Sequence, residues 1–198
     1  EDESSDIYVL TSFGDTLYAY TNRGADNGRE VSFSYAASDP SSWIEVIEET
    51  EHVLTASTVG GFLFAEYMID AISAVKQFDL KGNHIRDIEL PGPGSASGFS
   101  GKSDETTTFY TFTNYHTPST IFELSLESGD VSTYRESLAD FEVGEYVSEQ
   151  VFYTSKDGTR VPMIVTKKKG LPADKPLPTM LYGYGGFDIS LTPSFSST

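Results

Sequence analysis

Three short runs of similar character recur at a near-constant interval, and no other feature of the 198 residues constrains the fold as strongly. Leu17-Tyr18-Ala19-Tyr20, Leu63-Phe64-Ala65-Glu66 and Phe109-Tyr110-Thr111-Phe112 begin 46 residues apart, at 17, 63 and 109. Each is followed by a polar turn and a second strand-like run, at 31–35, 74–80 and 119–126. A third run follows at 43–47, 85–90 and 131–135. The turns carry Asp39-Pro40, Lys81-Gly82-Asn83 and Ser128-Gly129-Asp130. Such residues bond their own backbone or tolerate left-handed dihedrals, as hairpin turns require. A repeat of about 40 to 50 residues with about four short strands is the pattern of a β-propeller blade. One blade cannot bury both of its faces, so blades stack. Three do not close a ring, because propellers use about four to eight. The reading therefore places further blades ahead of Glu1. An ordinary antiparallel sandwich with regular strand spacing is the competing architecture.

The pattern changes after about residue 138, which divides the chain into 1–138 and 139–198. Val151 to Thr154 and Thr159 to Thr166 flank Ser155-Lys156-Asp157-Gly158, and Asp-Gly signals a two-residue hairpin loop. Pro162 lacks a donor, so its strand is expected at an edge or a bulge. A basic, proline-rich loop over 167–178 leads to Thr179-Met180-Leu181-Tyr182, read as a short buried strand. It runs straight into Gly183-Tyr184-Gly185-Gly186-Phe187. Glycines at 183, 185 and 186 permit positive φ and close backbone approach. In α/β-hydrolases a glycine-rich loop after a strand supplies oxyanion-hole donors. Tyr184 adds a hydroxyl on a rigid ring, and is equally readable as a packed aromatic in a turn.

Composition removes several classes of function. The net charge is −17, from 30 acidic against 13 basic residues, which excludes the basic surface that nucleic acid requires. No cysteine is present, so disulfides and thiol catalysis are excluded. No apolar run approaches the roughly 18 residues of a membrane span. Glu1-Asp2-Glu3-Ser4-Ser5-Asp6 is too acidic for a signal peptide. The nucleophile elbow Gly-x-Ser-x-Gly does not occur. Its nearest string, Gly98-Phe99-Ser100-Gly101-Lys102, fails at the last position and falls inside a repeat. His52, His84 and His116 all lie in the repeat region, where turn roles are expected. Glu48, Glu49 and Glu51 beside His52 read as a solvated turn. No metal-ligand spacing appears, and no cofactor is expected.

The segment from Val151 to Met163 (VFYTSKDGTRVPM) resembles the hairpin that opens the catalytic domain of the prolyl oligopeptidase family. Leu181 to Phe195 (LYGYGGFDISLTPSF) is similar to that family's oxyanion strand and loop. Thr21-Asn22-Arg23 and Gly98-Phe99-Ser100-Gly101 resemble its late propeller blades more loosely. The resemblance implies a mostly β chain: about three blades of a partial β-propeller, then the first strands of an α/β-hydrolase domain. It implies that Tyr184 joins the oxyanion hole, with Gly183, Gly185 and Gly186 shaping its loop. Phe187 would form an aromatic wall for the substrate proline. The implied protein is a monomeric serine endopeptidase, cytoplasmic or periplasmic, that cleaves short proline-containing peptides. It would have no nucleic-acid or membrane partner. The Ser/Asp/His triad would lie beyond Thr198, so these residues alone are expected to be inactive and, through unpaired strand edges, to associate. Oligopeptidase B, which prefers basic residues, tends to lack the Gly-Gly-Phe run. A non-catalytic, propeller-derived binding module is the alternative from another class.

Overall fold

Alternating apolar residues on consecutive short strands need two partners, one on each face, and the chain meets this need by stacking one sheet on the next. The computed structural model describes residues 5–139, 141–172, 175–187 and 189–196. Of the segments singled out above, Glu1-Asp2-Glu3-Ser4, Asp188 and two residues of the 167–178 loop lie outside these. The first sheet is a meander of β1 (Ile7–Phe13), β2 (Thr16–Thr21), β3 (Arg29–Ser34) and β4 (Ile44–Ile47). The second holds β5 (Leu54–Val59), β6 (Phe62–Ile69), β7 (Ile72–Asp79) and β8 (His84–Asp87) in the same order. The third holds β9 (Ser95–Ser97), β10 (Thr107–Thr113), β11 (Thr120–Ser125) and β12 (Val131–Arg135). All pairings within them are antiparallel. These are three consecutive blades.

Period-two alternation assigns the faces. On β6, Leu63, Ala65 and Tyr67 join Tyr18, Ile47 and Leu54 in the layer between blades 1 and 2. Phe64 points the other way and joins Val59, Val75, Phe99, Tyr110 and Phe112 between blades 2 and 3. That second layer is an aromatic stack, with ring centroids 5.6 Å apart for Phe64–Phe99 and 4.7 Å for Phe99–Tyr110. Full burial of each such side chain is worth about 1.5–3 kcal/mol. Hydrogen bonds link the layers as well: Gln77 Nε2 donates to Leu126 O at 2.8 Å across blades 2 and 3. Leu54 N donates to Asn27 O at 2.8 Å across blades 1 and 2.

The structure corrects the repeat in two respects. The equivalent third-blade position is Tyr110, not Phe109. Leu17 pairs with Phe33, Leu63 with Phe78 and Tyr110 with Phe122, so the spacing is 46 and then 47 residues. A one-residue slip reverses every side chain, and accordingly Phe109 is exposed whereas Tyr110 is buried. The first strand of each blade (β1, β5 and β9) also had no counterpart among the runs identified in the sequence. These strands mix polar and apolar residues, and β1 is mostly exposed on both sides.

Turns follow their residues. Asp39 caps a 3-10 turn over Pro40–Ser42. Gly82 adopts φ 82°, and a Cβ there would collide with Val46 O of blade 1. The turn between β6 and β7 is tighter: Asp70 and Ala71 take φ 50° and 68° without any glycine, at a cost of about 1–2 kcal/mol each.

Beyond the blades, β13 (Tyr146–Thr154) and β14 (Arg160–Lys168) form a two-stranded antiparallel hairpin. Pro162 sits opposite Phe152 within it, without a bulge, where each strand has one free edge. The connection is not a two-residue loop. Ser155 N donates to Thr159 O and Gly158 N to Ser155 O, with Gly158 at φ 89°. This is a three-residue loop in which the glycine takes the left-handed position. The expected buried strand over 179–182 does not form: Met180, Leu181 and Tyr182 are exposed, and no strand is present there. A strand is held by bonds to a neighbour, and none of the described residues pairs with this segment.

Candidate functional site

The glycine-rich segment folds as an exposed loop. None of Gly183, Gly185 and Gly186 has positive φ; the left-handed residue is Phe187, at φ 54°. A Cβ on Gly183 or Gly185 would meet nothing within 4 Å. The expected need for left-handed, closely approached glycines is thus not met here. Gly186 is different. A Cβ there would lie 3.5 Å from Tyr184 Oη, because the phenol folds back over that residue. Ile189 N donates to Gly186 O at 3.2 Å, closing a turn around Phe187. Tyr184 is 46% exposed, and its hydroxyl makes no hydrogen bond to any described residue. Phe187 is 91% exposed. The loop therefore places a phenol donor and an aromatic face three residues apart, both open to solvent.

Contacts from three directions anchor this part to the blades. Ser95 Oγ donates to Pro193 O at 2.7 Å, and Phe195 N donates to Thr113 Oγ1 at 3.2 Å. Phe141 packs against both Tyr146 and Phe195, with centroids 4.9 and 5.2 Å away. The hairpin reaches blade 2 at the strained turn: Gln150 Nε2 donates to Asp70 O at 2.7 Å, and Arg160 pairs with the Asp70 carboxylate at 3.5 Å. It reaches blade 3 through His116, whose Nδ1 lies 2.7 Å from Ser148 Oγ, itself 2.8 Å from Thr166 Oγ1. The sequence offers His116 only a turn role and pairs none of these residues, because each contact joins positions far apart and the Asp70-Ala71 turn has no glycine to betray it.

His116 and Ser148 form a serine–histidine contact, but not a nucleophile. Ser148 is 6% exposed and is shared with Thr166. Burial and nearby Lys169 push the imidazole below its usual range, favouring the neutral ring that a structural hydrogen bond uses. His84 bonds Asp87 at 2.8 Å on the blade 2 rim, and His52 lies 3.8 Å from Glu51 in a turn. Phe99, inside the near-miss nucleophile string, is fully buried in the aromatic stack. Ser100 beside it is exposed, but no hydrogen bond joins its hydroxyl to a histidine or carboxylate among the described residues, so nothing there would activate it.

Three consecutive four-stranded meanders stacked face to face define a β-propeller segment, here followed by a docked hairpin and a glycine-rich loop. A family model described as the prolyl oligopeptidase N-terminal β-propeller domain matches residues 1–137, and the chain belongs to that family. The prolyl endopeptidase of Elizabethkingia meningoseptica is 48% identical over 192 residues, 97% of this chain and 27% of its own length. That of Elizabethkingia miricola is 46% identical over the same shares. A solved structure from a structural and mechanistic analysis of two prolyl endopeptidases superimposes with TM-score 0.80 at 37% identity. It covers 98% of this chain and 29% of that protein. Prolyl oligopeptidase B from Galerina marginata, solved with a 25mer macrocyclization substrate, gives TM-score 0.78 at 25% identity, over 98% of this chain and 27% of its own. The chain thus spans between a quarter and a third of these relatives, and its likeness to them runs past the blades into the hairpin and loop.

Proposed function

We propose that this chain is the late-propeller and early catalytic-domain part of a serine endopeptidase that cleaves short peptides after proline. The observation that carries the reading is the 48% identity extending over 97% of the chain, which takes in Gly183-Tyr184-Gly185-Gly186-Phe187 as well as the blades. On this reading residues 139–198 open an α/β-hydrolase sheet, with β13 and β14 as its first hairpin. The exposed run at 179–182 then becomes a paired strand alongside sheet supplied from outside these 198 residues. The nucleophile, histidine and acid come from there too. The serine attacks the carbonyl, the histidine takes and returns the proton, and the acid orients the histidine.

Within that site Tyr184 donates its hydroxyl to the oxyanion that forms as the carbonyl becomes tetrahedral. Its hydroxyl, without a hydrogen-bond partner among the described residues, and its fold-back over Gly186 suit this role, since a donor spent elsewhere could not serve. Gly186 leaves room for the ring, and Gly183 and Gly185 let the loop re-form against an added sheet. Phe187 offers a flat apolar face to pyrrolidine, which presents only shape and C–H surface. The blades cover the site and admit short peptides.

The test is hydrolysis by the intact protein of two peptides differing only at the residue before the scissile bond. A kcat/KM for proline far above that for alanine is expected. Preference for lysine or arginine would move the protein to the oligopeptidase B type, and no hydrolysis of either would favour a binding module.

A further inference from the structure

Blades 1 and 2 differ at one cross-strand pair in a way that their shared architecture does not require. In blade 1, Tyr20 of β2 stands opposite Glu30 of β3; in blade 2, Glu66 of β6 stands opposite Val75 of β7. Both pairs face the following blade, with Tyr20 packed on the first inter-blade layer and Val75 in the second. Each layer therefore contains one carboxyl at the same height, on alternate strands. Their surroundings are not alike. Glu66 is only partly buried and has the Ser57 hydroxyl beside it. Glu30 is 0% exposed, and neither carboxyl oxygen has a hydrogen-bond partner among the described residues. It occupies the position filled in blade 2 by buried valine.

The groups around Glu30 do not compensate a charge. Tyr67 faces it from β6 across the layer, and its phenol is raised by burial and then by Glu30. Tyr20 stands opposite on β2, Ile47 pairs with it from β4, and β5 presents apolar Leu54 to the same layer. The adjacent Arg29 points to the other face of β3, where it pairs with Glu45 at 2.7 Å. An isolated carboxylate in such a place is far more costly than the neutral acid. Burial pushes Glu30 up to about 8, and Glu66 to about 7.

We propose that Glu30 is a neutral acid sealed in the layer between blades 1 and 2, and that losing its proton loosens this layer, giving the propeller an alkaline-sensitive seam. The sign follows from linkage. The unfolded group ionises near pH 4.5, so the protonated acid's stabilising contribution is complete below that value. It declines as pH rises toward 8, by about tenfold in the closed-to-open ratio per pH unit, and then levels off.

The experiment compares the intact protein with Glu30→Gln, an uncharged isostere, from pH 5 to 9. The readout is hydrogen exchange of the Leu54 amide, which bonds Asn27 O across this seam, corrected for intrinsic exchange. Wild-type protection should fall relative to the variant by about tenfold per pH unit between 5 and 8. The comparison cancels Glu66, which both proteins share. A wild-type-to-variant ratio that stays constant across this range overturns the proposal. Should Glu30→Gln not fold, the infrared carboxyl band of the wild type decides. A protonated carboxylic acid that persists above pH 7.5 and survives Glu66→Gln supports the proposal, and its absence there overturns it.

Discussion

The blades and the hairpin region draw on the same kinds of side chain and dispose of them differently. Between Tyr18 and Leu126 strand alternation sends most of the buried large apolar residues into two stacked inter-blade layers, and Leu63, Phe64, Phe99 and Phe112 have no exposed surface. From Phe152 to Leu191 large apolar residues stand open, with Met180 at 88%, Leu181 at 82% and Phe187 at 91% exposure. A blade is a short-range unit: four strands joined by connections of two to nine residues build one sheet, and the next 46 or so residues build its partner. The later region is long-range. On the reading proposed above it opens a hydrolase sheet, whose parallel strands are separated by crossovers of a dozen or more residues; by themselves the hairpin and loop dock on the blades and leave their large apolar side chains open. Within these residues the first region is held by packing, and the second by point contacts at Asp70, His116, Ser95 and Thr113.

Substitutions that remove material from each region should expose this difference. Phe99→Ala should have the largest effect, destabilising the protein by about 3–5 kcal/mol as the Phe64–Phe99–Tyr110 stack loses its middle ring. Urea denaturation monitored by aromatic fluorescence measures it, and a loss below about 1 kcal/mol would show that the layer does not act as packed core. Gln77→Ala comes next, at about 1–3 kcal/mol, because Leu126 O loses its buried donor. The expected signature is faster hydrogen exchange in blade 3 as well as blade 2; a change confined to blade 2 would argue that the bond does not couple them. Arg160→Ala removes an exposed ion pair to Asp70, worth about 0.2–1 kcal/mol and sensitive to salt. Its effect should shrink in high salt and appear as easier proteolysis at the hairpin, not as blade unfolding. Phe187→Ala should change stability least, within about 0.5 kcal/mol, while in the intact protein it lowers kcat/KM for proline peptides. A large stability loss with unchanged proline preference would reverse the roles assigned to this ring.

The same contrast governs what the sequence disclosed. Periodicity made the blades legible, since strand, turn and repeat lie within about 46 residues of each other. It failed where a single inserted residue was invisible, so that Phe109 was aligned in place of Tyr110. It missed β1, an apolar run without alternation, and β5 and β9, which are short and carry few large apolar side chains. Pro162 was legible because a missing donor restricts a strand locally. The Asp-Gly loop was legible as a turn but not in its length. The run at 179–182 reads as a strand from its composition, but a strand is defined by its neighbour rather than by its own residues. Glu30 was unreadable for the same reason: an acid among polar and apolar strand residues betrays nothing until the opposite blade closes over it.

Tyr184 is the residue on which the proposed site depends most, a solvent-open phenol whose work only an assembled site would reveal. Tyr184→Phe in the intact protein removes one oxygen and leaves the ring over Gly186. For a short proline peptide, kcat should fall by about 10²–10³, the cost of losing one oxyanion donor, with KM and folding stability little changed. An unchanged kcat would contradict the assignment and leave Tyr184 a packing residue of the glycine-rich loop.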